Sequence, residues 1–221
     1  MASVSVRRLF PAGLLAACAM LLAACGTLSK SECQTGDWYT IGLVDGQAGA
    51  DGSRLQEHAK SCARYSLPVD PVRYEEGRAE GLRSYCTPPS GFANGMSGAV
   101  YRNVCTGRAG SDFLAAYGLG TDVYRARSIA RDAAAEARAV RGERDRLDDR
   151  VDELRSRMAN ATPEERERLR DRIEDIRFDM MGTFTDQFAA QRRADAAARD
   201  AAAAEAAARA AYFQLFGTPA P

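Results

Sequence analysis

Asn160-Ala161-Thr162-Pro163-Glu164-Glu165 is the stretch whose reading decides the fold. Thr162 is a good N-cap and Pro163 suits the first helical position, because its missing N–H would be unpaired there in any case. Glu165 completes a capping box with Thr162. A helix therefore starts at this point, and Asn160 to Pro163 ends whatever comes before it. Upstream, Val123, Ala130, Ala137, Val151 and Met158 repeat every seven residues, with Arg144 as the exception. Ala126, Ala133, Val140, Leu147 and Leu154 fill the other core position, and a seam this long argues for a coiled coil. Downstream, the apolar series is Leu169, Ile173, Ile176, Met180, Phe184 and Phe188. Folding back at Ala161 makes the seams meet: Leu154 on Leu169, Val151 on Ile173, Leu147 on Ile176 and Val140 on Phe184. So short a connection predicts an antiparallel pair within one chain, and a parallel dimer is the rival arrangement.

Charges of both signs interleave around this seam, as in Arg150, Asp152, Glu153, Arg155 and Arg157, which describes a solvated helical surface. Residues 191–211 are alanine-rich with a few charges and continue the second helix, with Gly182 as a candidate bend. The apolar end Tyr212-Phe213-Gln214-Leu215-Phe216 is expected to fold back onto the chain.

Upstream of the hairpin the composition changes to glycine, aromatics and cysteine. Trp38, Gly42, Gly46 and Gly49 open this region; Tyr74, Gly77 and Gly81 lead to Tyr85-Cys86; Phe92, Gly95, Gly98 and Tyr101 lead to Cys105. Spacings of three and four put these residues on one helical face. Glycine inside a helix costs about 1 kcal/mol against alanine, so its repeated use implies close backbone approach. Two readings follow: short helices crossing tightly, or a shallow binding groove of Trp38, Tyr39, Asp45, Tyr74 and Tyr101. Packing is the commoner use of aromatics in a small core.

The N-terminus has the parts of a secretory signal: Arg7-Arg8, an apolar run, then Leu21-Leu22-Ala23-Ala24-Cys25-Gly26, which reads as a lipobox. Leu14 to Cys18 shows the same pattern, but a cut there leaves a greasy stub, so Cys25 is the expected lipid attachment site. The apolar run is shorter than the roughly 20 residues of a transmembrane helix. Bacterial lipoproteins carry several acyl chains (palmitate among them) on such a cysteine, and Gly26 in place of Asp suits onward sorting to the outer membrane. With Cys18 and Cys25 spoken for, Cys33, Cys62, Cys86 and Cys105 remain. An even number in an exported chain reads as disulfides, and Cys33–Cys62 with Cys86–Cys105 is the favoured pairing of three. A zinc site at His58 and Cys62 is disfavoured because no CxxC pair exists.

The ordered motifs Trp38…Gly42-x-x-Asp45-Gly46, His58-x-x-x-Cys62, Tyr74-x-x-Gly77-x-x-x-Gly81-Leu82-x-x-Tyr85-Cys86 and Gly95-x-x-Gly98-x-x-Tyr101-x-x-Val104-Cys105 resemble the proteobacterial lipoproteins grouped as domain of unknown function 2799. The similarity is expected to run from about Cys33 to near Met180, with a departure at Thr121. The resemblance implies an envelope location and a paired helix after the cysteine region, and no activity.

Chemistry is sparse. Thirty basic and thirty acidic residues cancel, which gives no basic face for nucleic acid. His58 is the one histidine. A serine–histidine–acid set would need it with Ser61 and with Asp45 or Glu57 as orienter, and no G-x-S-x-G elbow or P-loop accompanies them. The expected layout is a signal peptide over 1–24, an anchor and linker over 25–32, a disulfide-bonded head over 33–110, an antiparallel hairpin over 111–190 and an alanine-rich tail over 191–221. The expected fold class is mainly α: a small glycine- and aromatic-rich helical head, then a long coiled-coil hairpin. The expected role is that of a non-catalytic envelope lipoprotein meeting another envelope component, as monomer or coiled-coil dimer, without cofactor or metal. The alternatives are a receptor for peptidoglycan fragments or peptides at the head aromatics, and a hydrolase centred on His58.

Overall fold

A computed structural model describes residues 27–221. The expected signal segment, with Cys18, and the expected lipid attachment site Cys25 lie outside them. Seven helices and no strand occur among the described residues: α1 (Lys30–Thr35), α2 (Trp38–Gln47), α3 (Ser53–Ala63), α4 (Pro71–Tyr85), α5 (Pro88–Ser97), α6 (Gly107–Met158) and α7 (Pro163–Phe216). None is long and apolar enough to cross a membrane. The described residues divide into two compact units, residues 27–86 with 102–104, and residues 87–101 with 105–221.

The first unit is built on a crossing of α2 and α4 with no side chains between the backbones. A β-carbon at Gly42 would run into the Tyr74 carbonyl oxygen, and one at Gly77 into that of Tyr39. Gly46 and Gly81 meet the opposite helix in the same way, at Arg78 and Leu43. Glycine is required here because any larger residue separates the two helices. The second unit repeats this device with α5 and the start of α6. Gly91 and Gly95 lie against the carbonyls of Phe113 and Tyr117, and Gly120 lies against that of Phe92.

The two crossings are copies of one motif. Gly42-Leu43-Val44-Asp45-Gly46-Gln47-Ala48-Gly49-Ala50 corresponds to Gly91-Phe92-Ala93-Asn94-Gly95-Met96-Ser97-Gly98-Ala99, and Tyr74, Gly77, Gly81 and Tyr85 share their spacing with Phe113, Ala116, Gly120 and Tyr124. The likeness reaches the backbone: Gly49 and Gly98 both take a positive φ (68° and 73°). Each packs under a tyrosine ring, Tyr85 for one and Tyr124 for the other. The carbonyl that follows is bonded from the second helix in both, by Arg78 Nε to Ala50 O (2.9 Å) and by Tyr117 Oη to Ala99 O (2.7 Å).

A crossing so close buries little side-chain area, so each copy is covered differently. In the first unit Trp38 and Tyr74 pack with Cys33, Cys62 and Leu28, and Leu55 and Leu67 lie against them. The Cys33–Cys62 disulfide, with Cα atoms 5.5 Å apart, fastens α1 to α3. In the second unit the cover is the end of α7: Tyr212 is fully buried against Phe92, Ala116 and Val123, and its ring meets Phe92 edge-on at 5.3 Å. Tyr212 and Phe216 of the apolar C-terminal segment thus pack within the chain, while Phe213 and Leu215 are exposed. Cys86 and Cys105 are disulfide-bonded as well.

Helices α6 and α7 form the expected antiparallel hairpin, with 52 and 54 residues. The capping box at Thr162 and Glu165 is present, and Gly182 does not interrupt α7. Near the turn the seam is as expected, with Val151, Leu154, Ile173 and Ile176 buried and Leu147 and Leu169 beside them. Farther along, the expected partners are wrong. Val140 packs with Ala137, Ala190 and Ala194, while Phe184 and Phe188 are about half exposed. The heptad on α7 continues from Met180 through Thr183, Gln187, Ala190 and Ala194, which keeps the three–four alternation. Polar side chains at 183 and 187 hide this continuation from a hydrophobic count. Arg144, the irregular member of the upstream seam, explains Gln187: its Nη1 donates to Gln187 Oε1 at 3.1 Å, and its guanidinium lies 5.6 Å from the Phe184 ring centre.

Candidate functional site

Comparing the two copies shows which residues the crossing does not need. Asp45 corresponds to Asn94, and Tyr74 to Phe113, which has no hydroxyl. Helix α3, which carries His58, sits in the longer connection of the first copy. These additions converge on one buried polar chain. His58 Nε2 bonds Asp45 Oδ2 at 2.7 Å, and Tyr74 Oη donates to the same oxygen at 2.8 Å. On the other side of the ring, Nδ1 lies 2.7 Å from Thr27 Oγ1. With Nε2–H donating to the carboxylate, Nδ1 is left as the acceptor for the threonine hydroxyl. Thr27 N–H donates to Ser61 Oγ at 3.0 Å, and Ser61 Oγ donates to the Glu57 carbonyl at 3.0 Å.

Local sequence places each member. Asp45 is on α2, one residue before Gly46, where the close crossing brings Tyr74 of α4 within reach. His58 and Ser61 are three residues apart and so share a face of α3. Leu28, 8% exposed, and the capping box of Ser29 and Glu32 hold Thr27 over that face. His58 is 2% exposed, and none of the described buried side-chain N or O atoms lacks a hydrogen-bond partner.

The electrostatics favour an ionised Asp45. Burial pushes its carboxyl up, but the bonds from His58 and Tyr74, with Arg54 Nε 3.7 Å away, outweigh that and hold its pKa below the usual carboxylate value. Tyr74 is pushed well above a normal phenol, first by burial and then by its bond to Asp45. A cleft of about 480 Å³ opens beside the chain, with Ile41 and Val44 among its apolar walls and Asp37, Arg54 and Glu32 among its polar ones.

Four of the five expected groove residues lie in the first unit. Trp38 and Tyr74 are core, Asp45 is bonded inside, and Tyr39 is half-buried under the Arg73 guanidinium, 5.2 Å from its ring centre. Tyr101 belongs to the second unit, where it packs on Phe113 and Tyr117. Of the acids considered for His58, Asp45 bonds it, whereas Glu57 pairs with Arg54. Ser61 reaches His58 only through Thr27, the residue that sequence reasoning missed. No cluster of three or more His, Cys, Asp or Glu placed for a metal occurs among the described residues, and all four head cysteines are taken by disulfides.

Residues 37–122 match the family model described as Protein of unknown function (DUF2799), in agreement with the motifs of the head. The match covers both glycine crossings and ends at Asp122, short of the expected Met180. No curated protein matches the chain, and no solved structure does.

Proposed function

We propose that the chain is a non-catalytic, lipid-anchored envelope adaptor whose head is fixed directly behind its anchor and whose hairpin meets another envelope component. The observation that carries this reading is Thr27. It lies two residues after Cys25, the lipobox cysteine, and is bonded through both backbone and side chain to α3. Leu28 and the Cys33–Cys62 disulfide fix the next turn of chain. An acyl chain on Cys25 would then be attached two residues before a fixed backbone, and the outer membrane is the surface the head would sit on. The polar chain fits a clamp: both imidazole nitrogens are occupied, and the ring is closed off from solvent.

The test is crosslinking of the full-length protein in its native membrane, followed by mass spectrometry. Adducts joining α6 or α7 peptides to a protein are expected, and they should vanish when Cys25→Ser releases the chain. A chain recovered repeatedly without any adduct contradicts the adaptor role.

A further inference from the structure

Helix α7 carries an exposed apolar stripe on the face beside its seam, with Phe184 at the edge where the Arg144 guanidinium meets it. Phe178 is 73% exposed, Met181 66%, Phe184 49% and Phe188 52%. Four large apolar side chains at steps of three and four form a continuous ridge roughly 15 Å long at 1.5 Å per residue. Isolated exposed apolar residues need no explanation, but a contiguous ridge marks a contact surface.

The charges on either side identify the occupant. Glu167 and Glu174 precede the ridge at a seven-residue interval, and Arg192 and Arg199 follow it at the same interval. All four are exposed, and among the described residues none makes an ion pair within the chain. They are symmetric about Thr183. Glu174 and Arg192 stand nine residues before and after it, Glu167 and Arg199 sixteen, and Phe178 and Phe188 five. A two-fold axis at this point pairs each residue with its opposite number on another copy, as an isologous interface requires.

We propose that α7 docks through this ridge onto α7 of a second copy, antiparallel and centred near Thr183. Phe178 then meets Phe188 of the other copy, Glu174 meets Arg192, and Glu167 meets Arg199. A parallel pairing sets Glu174 against Glu174 and Arg192 against Arg192, so charge selects the antiparallel register. The proposal deepens the adaptor reading, since it makes another copy of the chain one of the components that the hairpin meets.

The experiment uses full-length protein co-expressed from two differently tagged copies and oxidised in the membrane. Glu174→Cys on one copy and Arg192→Cys on the other should give a disulfide-linked species carrying both tags. Glu174→Cys on both copies should give none. In detergent solution, Glu174→Arg should weaken self-association at least tenfold, and adding Arg192→Glu should restore it. Helical content by circular dichroism checks that these exposed substitutions leave the fold intact. A species from Glu174→Cys on both copies overturns the antiparallel register. The absence of any 174–192 species overturns self-docking and leaves the ridge to a different protein or to the bilayer. In that case the adaptor reading still stands if native-membrane crosslinks to another protein are found.

Discussion

Gly77→Ala is expected to destabilise the first unit by about 3 kcal/mol or more, beyond the usual range for one added methyl in a packed core. The added carbon has nowhere to go: it meets the Tyr39 carbonyl, and the clash is with backbone that no rotamer change can move aside. Helices α2 and α4 must separate, which loosens the packing of Trp38 and Tyr74. Gly118→Ala supplies the opposite sign. Nothing lies near a β-carbon at Gly118, so the substitution should stabilise α6 by about 0.5–1 kcal/mol through helix propensity alone. Trp38 is the one tryptophan and is 5% exposed, so its fluorescence during urea unfolding reports on the first unit. Circular dichroism at 222 nm follows α6 and α7. Equal effects of the two substitutions contradict the close crossing.

Asp45→Ala is the second large effect. It strips the acceptor from His58 Nε2 and Tyr74 Oη together, inside the protein. Removing one partner from a buried charged network costs about 3–5 kcal/mol, because the groups left behind are neither hydrated nor paired. The pH dependence follows from the lowered Asp45 pKa. A carboxyl whose folded pKa lies below its unfolded value contributes stability that is fully present above the unfolded value, about 3.9, and is lost as pH falls through the folded one. The gap between wild type and Asp45→Asn should therefore be constant above about pH 5 and close below pH 4. A gap that stays open in acid contradicts an ionised Asp45.

The hairpin was legible because its signals are local. The Thr162 cap, the Pro163 start and the heptads on either side each depend on a few residues close in sequence. The seam was lost after Met180 because Thr183 and Gln187 hold core positions while Phe184 and Phe188 point outward. Choosing the more hydrophobic neighbour moved the expected stripe by one residue, which is a different face of the helix. In the head, glycine spacing correctly implied close backbone approach. The duplication was written in Gly42–Ala50 and Gly91–Ala99, but grouping each glycine run with the cysteine after it obscured the common register. Asp45 and His58 were both noticed, yet the twelve residues between them hold no pattern that announces a contact. Thr27 looked like the start of a polar linker, because nothing in Gly26-Thr27-Leu28-Ser29-Lys30 reveals a histidine thirty-one residues ahead. Tyr74 against Phe113 and Asp45 against Asn94 become informative only when the copies are aligned. They separate what holds the helices together from what holds the N-terminal segment down.

That separation rests on the hold over Thr27, and one measurement bears on it most directly: amide hydrogen exchange at Thr27 in the protein purified from its native membrane. Its N–H donates to Ser61 Oγ at 3.0 Å, in a segment whose next residue is buried. Exchange should be slowed at least a hundredfold relative to an unstructured peptide, and that protection should fall in Asp45→Ala. Exchange of the Thr27 amide at the unstructured rate in the wild-type protein contradicts a head clamped at its anchor.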